Sequence, residues 1–177
     1  MKLFIFLVLI FCSSCAEVNQ RVIEAIVLEE DLIAFIPDPA GERKQKRQND
    51  IKKVLNVADS WVGTPYVWGG TSKRGADCSG SIYGVLKEAG YRIHRLTARK
   101  MALKYPKTKD PNPGDLVFFD HGKGIAHVGI LNAVGQKKNM YHASSSKGFI
   151  DSEINEYYWL PKEVQVSRME FYPVIPE

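Results

Sequence analysis

The apolar residues of this chain change their period at the turn Asn112-Pro113-Gly114. Before it, Ile51, Val54, Leu55, Ala58 and Val62 recur at helical spacing, and so do Ile82, Val85, Leu86 and Ala89. After it, "DLVFF", "HVGILN", "NMYHAS" and "VQVSRMEFY" are short apolar or alternating runs separated by turn residues. A helix with one apolar stripe and a strand with one apolar face must each bury that surface on a partner. Helices first and strands afterwards therefore specify an α+β domain, with N-terminal helices packed on an antiparallel sheet. At 177 residues the chain can build one substantial core.

Local signals set the expected boundaries. Pro37, Pro39 and Gly41, with the charged run to Asp50, read as a linker. The first helix is expected to follow, capped by Asn49 or Asp50 and stopped by Gly63. The turn-rich loop "TPYVWGGTSKRGAD" leads into a second helix from about Cys78 to Ala89, ended by Gly90, and a third lies around Thr97 to Lys104. Strands are expected at Leu116–Phe119 and in a hairpin of "HVGILN" and "NMYHAS" about Val134-Gly135.

The N-terminus reads as an export signal. "MKLFIFLVLIFCSSC" has one cation, Lys2, then an apolar run from Leu3 to Phe11. That run is well short of the roughly 20 residues that span a bilayer. Its ending resembles a bacterial lipobox, which implies that Cys15 is lipidated and residues 1–15 are a lipoprotein signal; Cys12 departs from the pattern by standing where leucine is usual. Residues 16–50 form an N-terminal segment and linker, and 51–177 the folded domain. The basic run "GERKQKR" reads as a solvated stretch, and with a net charge of only +4 and no aromatic-interleaved basic stripe, nucleic-acid binding is not expected.

Removal of Cys12 and capping of Cys15 leave Cys78 without a partner in the chain. An odd thiol in an exported protein signals an intermolecular disulfide or a reactive group. The helix that Cys78 opens places it where the helix dipole favours a thiolate, and where free backbone N–H groups can bind an oxyanion. Gly70, Gly75 and Gly80 allow close backbone approach. The competing reading, a small buried hydrophobe, fits poorly with polar neighbours such as Asp77 and Ser79.

Four histidines are available as bases. If the hairpin is symmetric about Val134-Gly135, His127 stands directly opposite His142, with Cβ atoms roughly 4.5–5.5 Å apart on one face. His142 would then hold His127 in one orientation and tautomer, completing a nucleophile, base and orienter. A zinc site is the other use of one cysteine and two histidines, but the close ligand spacings of zinc motifs are absent. His121 reads as a loop residue, and His94 is a possible groove residue.

Together, "GTPYVWGGTSKRGADCSGSIYGVLKEAG", "PNPGDLVFF", "IAHVGILN" and "MYHASSSKG" resemble the NlpC family of papain-like cell-wall peptidases over roughly Ile51 to Tyr172. The resemblance implies a papain-like core with the nucleophile Cys78 at a helix N-terminus, His127 as general base and His142 as its orienter. It implies that Tyr66 assists oxyanion or substrate binding and that Asp77 and Ser79 meet the free amine of the substrate peptide; Asp77 also reads as a helix cap, and Asp115 as a turn residue. The implied reaction is hydrolysis of peptidoglycan stem peptides between γ-D-glutamate and diaminopimelate or lysine. No metal or organic cofactor is implied. A related thiol amidase or acyltransferase, or a wall-binding lipoprotein without catalysis, would use the same scaffold. The implied setting is the cell envelope, with a monomer held to the membrane by its lipid anchor, at the outer membrane in a Gram-negative cell. One departure is His94-Arg95-Leu96-Thr97, where members often carry Pro-Arg before Ser or Thr.

Overall fold

The first helix, α1, runs from Pro39 to Asp59 and so begins ten residues before the expected cap at Asn49 or Asp50. The computed structural model describes residues 39–171; the export signal, Cys15 and the segment up to residue 38 lie outside the described residues. The stretch expected to be a linker is helical because Glu, Arg, Lys and Gln are good helix formers even without an apolar stripe. Pro39 suits a first helical position, where its missing N–H costs nothing. Lys46 and Asp50 pair one turn apart at 2.9 Å, and Gln45 bonds Asn49 in the same way at 3.1 Å. Only from Ile51 onward does α1 bury a stripe, through Ile51, Val54 and Ala58.

The chain divides into the units Met1–Arg43 and Lys44–Glu177, and the remaining helices and all the strands belong to the second. After α1 come the two-residue strands β1 (Thr71–Ser72) and β2 (Gly75–Ala76), then α2 (Cys78–Glu88) and α3 (Ala98–Lys104). These match the expected second and third helices. Gly90 ends the α2 turn with φ +81°, and Thr97 caps α3 by accepting from Lys100 N–H. A five-stranded sheet follows: β3 (Leu116–Asp120), β4 (Ile125–Ala133), β5 (Asn139–Ser144), β6 (Gly148–Glu153) and β7 (Glu163–Ser167). Its order is β6-β5-β4-β3-β7, and every pairing is antiparallel. Strand β6 was not foreseen, since "GFIDSE" offers only two apolar residues, and β7 stops at Ser167, short of the expected run to Tyr172.

Alternation along the strands gives the sheet two buried faces. Leu116, Phe118, Val128, Ile130, Tyr141 and Phe149 share the main core with α1, α2 and α3. A full burial of the Phe118 or Phe149 kind contributes roughly 2–3 kcal/mol. Val117, Phe119, Leu131, Met140 and Val166 form a smaller core on the other side, against which Trp159 packs. Helix α2 is seated against the turn that follows α1 by a missing side chain: a Cβ on Gly84 would overlap the Trp61 ring. The Trp61 indole then donates to Glu88 Oε2 at 2.9 Å.

Asp115 serves the turn before β3, as expected, and does more. Its fully buried carboxylate accepts from Asn112 N–H at 3.0 Å. It also pairs with Arg47 of α1 at 3.0 Å and with Arg168 beyond β7 at 3.2 Å. One aspartate thereby joins the first helix, the sheet and the C-terminal segment.

Candidate active site

A single cavity of about 830 Å³ receives side chains from the elements that carry the expected catalytic residues: Tyr66 and Trp68 from the loop, Cys78 from α2, His127 from β4 and His142 from β5. The thiol is placed by local chemistry. Asp77 is the N-cap of α2, its Oδ1 accepting from Gly80 N–H at 2.6 Å. Asp77 Oδ2 accepts from Gly69 N–H at 2.9 Å, which ties the glycine loop to the helix start. A Cβ on Gly80 would collide with the Gly70 carbonyl, so the loop can lie this close only against glycine.

The Cys78 thiol donates to the carbonyl of Ala126 at 3.8 Å. That carbonyl is available because β4 bulges there: Phe119 pairs with His127 and Asp120 with Ile125, so Ala126 has no partner on β3. Burial, and next the Asp77 carboxylate, push the Cys78 thiol above its ordinary value; backbone N–H groups of Ser79, Val128 and Cys78 itself act the other way. The helix end therefore offers its donors, as expected, but does not by itself make a resting thiolate.

The histidines meet, though not as the symmetric hairpin predicts. The register pairs Ile130 with Tyr141 and Leu131 with Met140, two residues away from the register that opposes His127 to His142. A slip of one residue would have parted the rings; a slip of two keeps both on one face as diagonal neighbours. His127 Nε2 lies 2.9 Å from His142 Nδ1, with the ring planes 81° apart. His142 is buried. Its pKa falls to about 4 through burial, and that of His127 falls to about 3 through burial, then His142 and His121. Both imidazoles are neutral at pH 7. With His127 Nε2 engaged, its Nδ1 is the nitrogen left for the thiol. A proton on Nε2 donated to His142 Nδ1 fixes that tautomer.

Several contributors escaped the sequence reading. Trp159 stacks on His127 (centroids 5.1 Å apart, planes 23°) and meets His142 edge-on at 5.0 Å. The cluster "YYWLP" has neither helical nor strand period, so nothing in its pattern marked Trp159 as part of a site. His121, read as a loop residue, lines the cavity and sits 6.3 Å from His127, ring to ring; His94 does not line it. Arg95 reaches both oxygens of Asp77 at 3.0 and 2.9 Å and Ser79 Oγ at 2.8 Å. The arginine in the departing His-Arg-Leu-Thr stretch thus holds the cap of α2; its partner stands eighteen residues away along the chain, so no local spacing marked the pair. Asp77, Ser79 and Tyr66 all line the cavity, and Tyr66 has its hydroxyl raised by burial and by Cys78. Among the described residues no cluster of three or more metal-ligating side chains is placed to hold an ion.

Comparison with known proteins bears on the whole arrangement. The NlpC/P60 family model matches residues 63–168. The chain is 38% identical over 135 residues to the "Probable endopeptidase NlpC" of Escherichia coli K12, covering 74% of this chain and 86% of that one. It is 33% identical over 126 residues to the "Murein DD-endopeptidase MepS/Murein LD-carboxypeptidase" of the same strain, covering 70% and 65%. A crystal structure of an NlpC/P60 family protein from Bacillus cereus matches with a TM-score of 0.59 at 26% identity, over 67% of this chain and 39% of that one. The NlpC/p60 domain of the peptidoglycan hydrolase SagA matches with a TM-score of 0.53 at 25% identity, over 67% and 98%. The fold is accordingly the papain-like α+β fold, and this chain belongs to the NlpC/P60 family.

Proposed function

We propose that the domain is a thiol endopeptidase of peptidoglycan stem peptides, with Cys78 as nucleophile, His127 as general base and His142 as the positioning residue. The observation that carries this reading is one cavity holding a thiol at a helix N-terminus together with two imidazoles joined at 2.9 Å. Relatives named as endopeptidases support it.

In the resting site the thiol is protonated and the imidazole neutral, so the proton moves as the bond forms. Cys78 Sγ attacks the carbonyl carbon while its proton passes to His127 Nδ1. The negative charge collects on the carbonyl oxygen, facing the N–H groups of Cys78 and Ser79 with help from the Tyr66 hydroxyl. Collapse breaks the C–N bond, and the leaving amine takes the proton from His127, giving a thioester. Water then attacks the thioester and gives its proton to His127. Expulsion of sulfur, reprotonated by His127, releases the acid. His142 strengthens its hold when His127 is cationic, because the Nε2–H bond becomes charge-assisted.

The bond we assign is that between γ-D-glutamate and diaminopimelate or lysine, with Asp77 and Ser79 meeting the peptide amine beside Arg95. A second reading has a specific support: the relative named as a murein DD-endopeptidase and LD-carboxypeptidase points to bonds beyond the diamino acid. An amidase or acyltransferase would need the same three residues; a wall binder without catalysis would need no oriented imidazole pair. Lipidation at Cys15, a monomeric state and a place in the cell envelope complete the proposal. Incubation with defined wall tripeptides and tetrapeptides, read by mass spectrometry beside Cys78→Ala, tests it. New products with masses for γ-D-glutamyl cleavage from the native protein alone uphold the assignment. Loss of terminal D-alanine instead selects the second reading, and intact peptides reject both.

A further inference from the structure

The charges around the cavity do not cancel. Its acids are satisfied: Asp77 is neutralised by Arg95 at 2.9 Å, and Glu153 has Lys137 at 3.9 Å. Two cations are left. Arg99, on α3, lines the main cavity and also a second hollow of about 300 Å³ beside it, sharing Ile125 with both. Lys147 lines the main cavity from the turn between β5 and β6. Both are exposed, and among the described residues neither has an ion-pair partner. They belong to separate elements, so helix-stabilising charge pairing explains neither.

The Lys147 turn is fixed in place. Gly148 adopts φ +75°, and a Cβ there would collide with the Thr64 carbonyl. The Phe149 N–H donates to that same carbonyl at 2.8 Å, and Gly63 N–H to the Phe149 carbonyl at 2.9 Å. The turn is therefore stitched to the segment that leads to Tyr66 and Trp68. Arg99 is held from the other direction: its helix starts three residues after Arg95, which bonds Asp77 and Ser79. A cleft with protein walls on both sides focuses such unpaired charge onto whatever enters it.

We propose that Arg99 and Lys147 bind carboxylates of the substrate, so that the site selects peptides with free carboxylates over their amidated forms. The inference rests on the stem-peptide reading and deepens it. A glutamyl unit joined through its γ-carboxyl keeps its α-carboxylate free, and the diamino acid carries more. Amidation removes the charge while leaving length and shape nearly unchanged. Arg99, with its planar fork, suits two-point recognition of a carboxylate; Lys147 supplies a point charge.

The test uses the full chain carrying Cys78→Ala and a synthetic wall tripeptide in free-acid and amidated forms, with affinities measured by calorimetric titration. The free acid is expected to bind about tenfold more tightly than the amide, the preference falling as salt is raised. Arg99→Gln and Lys147→Gln should each reduce that ratio, and the double variant should bring it close to one. Arg99→Lys should keep part of it. Equal affinity for the two peptides, or a ratio unmoved in the double variant, would overturn the inference. Turnover of the same peptides by protein with Cys78 intact is read in parallel. An absence of turnover with the binding ratio retained sinks the endopeptidase reading and leaves the carboxylate site standing.

Discussion

The two halves of the site are held by different physics. On the helical side, Cys78 is positioned largely within a few residues of itself: Asp77 caps its helix and Gly80 admits the loop, while the Ala126 carbonyl and the Val128 N–H meet the thiol from β4. On the sheet side, His127 and His142 depend on the register of two strands, a bulge at Ala126, and Trp159 arriving from a later segment. Their electrostatics differ in sense as well. Burial and a neighbouring carboxylate raise the thiol, whereas burial lowers both imidazoles. Both shifts favour neutral groups, since a poorly solvated site disfavours whichever form is charged. The site is thus a neutral thiol–imidazole pair at rest, and in the proposed mechanism charge separates only as substrate is attacked.

Removing the helical side's one reacting atom should have the largest effect. Cys78→Ala is expected to lower turnover of a wall peptide by about 10⁴–10⁶-fold while leaving the fold intact. Residual activity within tenfold of the native protein would move the nucleophile elsewhere.

The sheet side should fail more gradually. His142→Ala is expected to reduce kcat by roughly 10²–10³-fold with a smaller change in KM, because His127 loses its tautomer and orientation rather than its chemistry. His142→Asn should recover part of the loss, since an amide oxygen can accept from Nε2–H. A His142→Ala enzyme within threefold of native would mean that Trp159 stacking alone positions the base.

Acid should separate the halves by stability. The folded pKa values of about 3 and 4 lie below the ordinary imidazole value of 6.5, so the unfolded chain binds more protons between them. Stability is then fully present above pH 6.5 and declines as pH falls through about 4 and 3. For the buried His142 the loss amounts to about 3 kcal/mol. Urea unfolding at pH 7.5 and pH 4.5 should show the drop, and His142→Asn should shrink it; equal drops would assign the acid sensitivity to other groups. For the same reason kcat/KM should stay level well below pH 6.5.

The smallest effect probes the thiol's neighbour. Asp77→Asn keeps an oxygen for Gly80 N–H but removes the charge that raises Cys78. Iodoacetamide labelling at pH 7 is expected to speed up several-fold. An unchanged rate would show that burial alone governs the thiol.

The same division separates what was legible in advance. Helices α2 and α3 were readable because their caps, Asp77 and Thr97, and the stop at Gly90 act over a single turn. The early start of α1 was not, because Pro39 and Gly41 are loop signals unless neighbouring charges favour a helix. Strand β6 was hidden because its pattern is weak and its pairing with β5 supplies what propensity does not. Asp115 was legible as a turn residue, but its pairing with Arg47 and Arg168 spans distances along the chain that no spacing rule covers.

By itself, the order of residues determined an α+β domain with an activated-looking cysteine at the head of a helix and two candidate imidazoles on neighbouring strands. These features depend on periods, caps and turns, each set by residues a few places apart. Only the tertiary structure decided that the strands pair two residues out of symmetric register, that a bulge turns the Ala126 carbonyl toward Cys78, and that Trp159 covers the imidazole pair. It also decided which cations were spent, leaving Arg99 and Lys147 free where Arg95 was not. Such outcomes are set by how many side chains must be buried at once, and that sum is not written in any local stretch of the chain.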